Sequence, residues 1–178
     1  ALFQSVTTRT AGYNTADLTA MSGASQALMI ILMLIGGAPG STAGGMKTTT
    51  FAVMIANAAA TFRRRDQIQV FHRRLNDEVV RNAATIAGMY MALFFCGAFV
   101  ISVIENLPLS ACLFETASAV GTVGLTLGLT PDLGVVSKGI LIILMYFGRV
   151  GGLTLIYAAV PEKSRYIARY PEEKVNVG

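Results

Sequence analysis

Apolar positions in this chain gather into three long blocks rather than the short amphipathic periods of a water-soluble domain. Ala83–Ile104 runs for 22 residues without a charged side chain. Roughly 20 apolar residues cross the hydrocarbon of a bilayer, so this block predicts one complete spanning helix. Val135–Val160 has the length for a second, with Lys138 near its start and Arg149 deep inside, in the cluster Gly148-Arg149-Val150-Gly151-Gly152. Ser25–Ala60 is different. An apolar beginning, Ala27–Ile35, and an apolar end, Phe51–Ala60, flank the Gly-rich string GGAPGSTAGGMKTTT, Gly36–Thr50. Neither half is long enough to cross, so together they predict one helix broken near mid-membrane. Unpaired backbone groups in hydrocarbon cost several kcal/mol each, so the irregular stretch must be buried in protein or line a wet cavity. The segment before Ser25 and the stretch Pro108–Gly134 are too polar and Gly-rich to span, yet partly apolar. Both predict re-entrant loops.

Composition points the same way. Charged residues make up 13% of the 178 positions and hydrophobic ones 53%, where a soluble domain carries about a quarter charged. Eighteen glycines are more than plain spanning helices require. Cys96 and Cys112 belong to no ligand-spaced cluster, which argues against a disulfide scaffold or a zinc site. His72, among arginines, reads as a solvated surface residue. No signal peptide is evident and the chain opens with Ala1, which sets the expectation of a piece of a longer polypeptide. Ten of the fourteen basic residues lie in Thr61–Asn82 (Arg63, Arg64, Arg65, Arg73, Arg74, Arg81) or after Val160 (Lys163, Arg165, Arg169, Lys174). Two crossings separate these groups, so they share a side, and the positive-inside tendency makes it cytoplasmic. They read either as this topology signal or as a docking surface for a cytosolic partner or acidic lipid.

An internal repeat organises the rest. The strings around Thr10-Ala11-Gly12-Tyr13 and Thr122-Val123-Gly124-Leu125 match at an offset of 124 − 12 = 112, and Gly36 and Gly148 share it, 148 − 36 = 112. Upstream, Leu2-Phe3-Gln4 and Leu113-Phe114-Glu115 match at 111, one residue out. Each copy then reads as a short helix, a tight turn and a Gly-interrupted helix. The short helices are the stretch ending in Leu2–Thr8 and Ser110–Ala119. A Thr-X-Gly-hydrophobe string after a short helix suits stripping water from a monovalent cation. Backbone carbonyls aimed at one axis replace the hydration shell, and glycine permits the torsions and close approach this needs. The helix directs its negative C-terminal end inward, favouring a cation. Glu115 would be costly in lipid, so it packs against protein or points towards permeating cations.

The strings SVTTRTAGYNTAD and SAVGTVGLT, the GGAPGSTAGGMKTTT loop, the YFGRVGGLTL helix and the ending YPEEKVNVG resemble the Trk/Ktr/HKT superfamily of potassium transporters, in particular the bacterial Ktr-type pore subunit. The resemblance covers nearly the whole chain. It implies an all-α membrane protein of helix–pore-loop–helix repeats, with re-entrant pore loops and a broken transmembrane helix. Four such repeats surround one ion path in that family, and this chain resembles the third and fourth. Residues 1–60 would hold the third-repeat pore loop and broken helix, and 61–82 a basic cytoplasmic connection. Residues 83–160 would form the fourth repeat and 161–178 a cytoplasmic tail. Half a ring of carbonyls cannot coordinate an ion, so this stretch alone should not conduct.

The resemblance also implies roles. Gly12 and Gly124 would be filter glycines, with Thr10, Ala11, Tyr13, Thr122, Val123 and Leu125 as carbonyl donors or their neighbours. The loop under the filter would be a mobile gate comprising Gly36, Gly37, Gly40, Ser41, Thr42, Gly44, Gly45 and Lys47, with Arg149 beside it. Its small residues offer little packing to pin it; the other reading is a rigid loop that packs helices closely. Arg149 is expensive in an apolar helix unless paired or wet. It would bond to loop carbonyls and raise a barrier to cations, or else pair structurally with Glu115 or Asp132. Lys47 would snorkel or face the cavity. Potassium would be the transported ion, and a second pore subunit would complete a homodimer. A cytosolic nucleotide-binding regulatory ring would touch Thr61–Asn82 and the tail, beneath a multi-pass plasma-membrane protein.

Gly40-Ser41-Thr42-Ala43-Gly44-Gly45-Met46-Lys47-Thr48 imitates a phosphate-binding loop, but Met46 intervenes before Lys47 and no strand precedes it. Nucleotide binding by this chain is rejected. A transporter rather than an enzyme is expected, with no nucleic-acid partner. Rival readings are a Na+-coupled or Na+-permeable secondary transporter with a midplane site at broken helices, and a non-conducting scaffold. The scaffold leaves the filter strings without a purpose.

Overall fold

A computed structural model describes residues 2–64, 67–70 and 73–150. The expected features at Arg65, His72, Gly151, Gly152 and the basic tail lie outside the described residues. Six helices follow in order: α1 Leu2–Thr7, α2 Gly23–Leu34, α3 Thr48–Phe62, α4 Asp77–Glu105, α5 Leu109–Val120 and α6 Val135–Val150. A two-residue antiparallel ladder, β1 Gln69–Val70 with β2 Arg73–Arg74, ties off the connection between α3 and α4. Helices α3 and α4 enter the 61–82 stretch from both sides, ending at Phe62 and starting at Asp77. Arg63, Arg64, Arg73 and Arg74 are exposed between these helices, and Arg81 is exposed near the start of α4.

Helix α4 is the long span. Asn76 caps its start by accepting from the Glu78 amide, and Asp77 and Glu78 place negative charge where the helix dipole is positive. Asn106 ends it in a left-handed conformation (φ 53°). Its 29 residues average a hydropathy of 2.1 in the most apolar window, with 28% of that window buried. The remainder, including Phe95, Phe99 and Val103, is exposed together with Ile142, Ile143 and Tyr146 of α6. An apolar exterior of this kind is what lipid accepts and water does not.

The short helix α5 is the hub, packed against α2, α4 and α6. Phe114, Thr116 and Ala117 are fully buried on it, and the Thr116 hydroxyl donates to the Cys112 carbonyl at 2.9 Å. Gly97 lets α6 close onto α4: a Cβ there would lie 2.7 Å from Leu144 Cδ1. One core cluster joins α4, α5 and α6 through Ile101, Cys112, Leu141 and Leu144. A second joins α2 to α5 through Met29, Met33 and Phe114, and takes in Val123 and Leu125 from the following turn.

Candidate ion path and gate

The two matched strings adopt matched torsions. Thr10 and Gly12 have φ of 48° and 71°; Thr122 and Gly124 have 51° and 91°. All four lie in the left-handed region, alternating with residues that do not. A strand sends successive carbonyls to opposite sides, whereas torsions alternating in sign turn them to one side. A β-branched residue there is a conformational outlier costing about 1–2 kcal/mol, so the surroundings must hold it. The Thr122 amide donates to Ala119 O (3.0 Å) and that of Val123 to Ser118 O (2.9 Å). In the first copy the Ala11 amide donates to Thr7 O (3.4 Å), and the Thr7 hydroxyl donates to Tyr13 O (2.6 Å).

The strings also touch. A Cβ on Gly12 would stand 2.6 Å from the Val123 carbonyl oxygen, and one on Gly124 3.8 Å from Gly12 Cα. Val123 and Leu125 are buried in the core, while Ala11, Tyr13 and Gly124 are exposed. Beyond Tyr13, Asp17 accepts from the hydroxyl and amide of Thr19 (2.6 and 2.9 Å), which holds its carboxyl below the usual range.

The break in the Ser25–Ala60 block runs over Ile35–Lys47 and ends three residues before the Gly-rich string does, because Thr48 already starts α3. Its two ends are joined. Ile35 bridges Met46, the Gly36 amide donates to Met46 O (2.8 Å), and the Thr48 amide donates to Gly37 O (3.1 Å). Gly36, Gly44, Gly45 and Met46 are buried, whereas Ala38–Thr42 are exposed. The expectation of a loop with little to pin it thus describes only the outer half. The inner half is wedged under the second string. Gly44 lies so close to Thr122 that a Cβ would overlap its side chain, at 2.8 Å from Cγ2 and 2.9 Å from Cβ. The Gly45 amide donates to Gly148 O (3.1 Å). Gly148 itself faces the Val120 carbonyl with no room for a side chain.

Both loop-facing cations bond to carbonyls. Arg149 Nη1 donates to Thr42 O. Lys47 Nζ donates to Ser41 O (3.2 Å) and Ala43 O (2.5 Å), crossing the loop from its own base. Glu115 is engaged elsewhere, by Thr126, Leu127 and Thr130. A cleft of about 310 Å³ runs between Thr122, Gly124, Met145 and Arg149. A larger one of about 510 Å³ continues past Glu115 and Lys138. The Thr122 hydroxyl is buried and has no hydrogen-bond partner among the described residues. The sequence reading brought these residues together but missed the Gly44–Thr122 contact and the buried Gln4 and Glu115 ties. The 111-residue match had already set those two side chains side by side.

Two short helices, each followed by a turn with left-handed Thr and Gly torsions and then by a further helix, define the class: an all-helical membrane protein built of pore-loop repeats. The chain belongs to the TrkH family of cation transport proteins, whose family model matches residues 1–167. A membrane location follows, and the family is one of ion transporters rather than enzymes. The chain is 41% identical to the potassium/sodium uptake protein NtpJ of Enterococcus hirae, over 99% of its own length and 40% of that protein's. It is 37% identical to the Ktr system potassium uptake protein B of Bacillus subtilis, over 99% and 39%. The crystal structure of the potassium transporter TrkH from Vibrio parahaemolyticus superposes with a TM-score of 0.77 at 25% identity, covering 90% of this chain and 36% of that one. The chain thus spans about two fifths of the length of the curated relatives it matches.

Proposed function

We propose that this chain supplies two of the four repeats of a potassium-selective pore, moving K+ down its electrochemical gradient. Thr10–Tyr13 and Thr122–Leu125 would be its contribution to the selectivity filter. The observation that carries this reading is the pair of left-handed Thr and Gly torsions, repeated 112 residues apart in strings that touch. Two further repeats would close the ring around the exposed side of Gly124 and the clefts beside it. Residues 36–47 would act as the gate, held in place through Lys47 and Arg149. Their position under Thr122 supports this, since displacing Gly44 and Gly45 is the smallest movement that clears that end of the string.

By the same reading the protein is a multi-pass plasma-membrane subunit with residues 63–76 and the tail in the cytoplasm. It would pair with a second copy and rest on a cytosolic nucleotide-binding regulatory subunit. The name "Ktr system" of the Bacillus subtilis relative, and the exposed arginines on the hairpin, support a partner there. The Enterococcus hirae relative's name includes sodium, which supports a second reading in which sodium is carried as well.

Rubidium uptake with sodium competition, in the intact pore protein, tests the filter. A serine at Gly12 meets Val123 O and carries a strained φ, so Gly12→Ser and Gly124→Ser should lower K+ preference over Na+ by about tenfold or more, the loss of one well-placed oxygen being worth more than 1.4 kcal/mol. Unchanged competition by sodium in both variants would refute it.

A further inference from the structure

Among the buried polar side chains of the two short helices, Gln4 and Glu115 stand at corresponding positions, 8% and 5% exposed. Glu115 Oε1 accepts from the Thr126 hydroxyl (2.5 Å) and the Leu127 amide (3.0 Å), and Oε2 accepts from the Thr130 hydroxyl (2.9 Å). The Thr126 oxygen in turn accepts from the Gly128 amide (2.9 Å). These groups belong to the chain just past Leu125. In the first copy Gln4 Nε2 donates to Asn14 Oδ1 (2.8 Å), which also accepts from the Ala16 amide (3.2 Å). That is the chain just past Tyr13. Different chemistry makes the same tie in the two copies.

We propose that Glu115, with Gln4 as its counterpart, is a positioning residue that fixes the far end of its carbonyl string. The near end is already held by α5, through the Ala119 and Ser118 carbonyls that accept from Thr122 and Val123. Glu115 lies one turn earlier on the same helix, so α5 grips the string at both ends. Strained left-handed torsions relax if either end is released, and oxygens that must act together tolerate displacements of only about 0.5 Å. Glu115 does not act as a charge for passing ions. Both of its oxygens are taken by three donors, and although its side chain borders the larger cleft it is almost fully buried there.

This inference rests on the filter reading, and the test separates the two. Sodium competition against rubidium uptake is measured in the intact pore protein and normalised to the amount in the membrane. Glu115→Gln keeps a carbonyl oxygen for Thr126 and Leu127 and an amide for the Thr130 hydroxyl. It should cost no more than about threefold in K+ preference, whereas Glu115→Ala removes every tie and should cost about tenfold or more. Thr130→Ala, at a half-buried loop position, should cost about threefold, and it carries the test if Glu115→Ala does not reach the membrane. Equal losses in the Gln and Ala variants would assign the effect to charge and overturn the proposal, as would undiminished selectivity in Glu115→Ala or in Thr130→Ala. If Gly124→Ser shifts selectivity and these variants do not, the filter stands and the brace falls. If Gly124→Ser shifts nothing either, the filter reading fails first.

Discussion

Gly44→Ala is the most direct perturbation of the seat beneath the second string. The added methyl overlaps the Thr122 side chain, with Cγ2 at 2.8 Å and Cβ at 2.9 Å. Thr122 has little room to yield, because Gly148 packs on its other side, 3.2 Å from Cγ2 to the position of a Cβ. Overpacking of this kind costs about 1–3 kcal/mol. The inner loop is kept in place by the Gly45 amide on Gly148 O and by Arg149 on Thr42 O, so the strain acts to lift it. At 1.4 kcal/mol per decade the displaced population should rise by about 5- to 150-fold. The assay is initial rubidium uptake at matched membrane abundance, combined in a double-mutant cycle with Thr122→Ala. That substitution removes Oγ1 and Cγ2, the atoms nearest the added methyl, while Cβ stays, and should return part of the excess flux, a coupling of at least about 0.5 kcal/mol. Flux at or below that of the parent protein, or strictly additive variants, would refute the seating of the loop on Thr122.

Arg149→Gln removes a charge-assisted bond worth about 1.5–3 kcal/mol together with the nearby positive charge. Leak through the resting protein should rise, and an unchanged leak would return Arg149 to a purely structural role. Shortening the loop within Ala38–Gly44 cannot keep both the Thr42 carbonyl on Arg149 and Gly44 on Thr122 at their present span, so flux at equal expression should rise; equal or lower flux contradicts the gate. Phe114→Ala empties the centre of the cluster joining α2, α5 and the second string, at a cost of about 3–5 kcal/mol. Its signature should be a lowered Tm in detergent with less mature protein, and a Tm within a degree of the parent would show that the site collapses freely.

Much of the architecture was legible because the governing rules are coarse. A charge-free run the length of a bilayer specified α4, and a Gly-rich interruption with apolar arms too short to cross specified the break between α2 and α3. The common offset of 112 residues anticipated torsions that recur at Thr10 and Thr122. Their left-handed conformation at threonine was not legible, because side-chain preference opposes it and the short-range bonds that close each short helix, such as Thr122 to Ala119 O and Val123 to Ser118 O, impose it. The division of the loop into a seated half and an exposed half was equally hidden. Glycine runs read as freedom, yet Gly36, Gly44 and Gly45 are small because backbone passes close by. Arg149 had several candidate partners in the sequence, and the choice of Thr42 depends on where α6 lies against the loop. The pairing of Gln69–Val70 with Arg73–Arg74 had no signal in the hydrophobic pattern.

The stitched base of the interrupted helix sets what can move. With Ile35 joined to Met46 and Gly37 to Thr48, the chain enters and leaves the break at almost one point. Rearranging the segment in between changes neither the axial register of α2 against α3 nor the load those helices carry in the bilayer. On the proposed gate reading, opening and closing would amount to a local event of some ten residues, free of any requirement that the surrounding scaffold tilt, slide or repack.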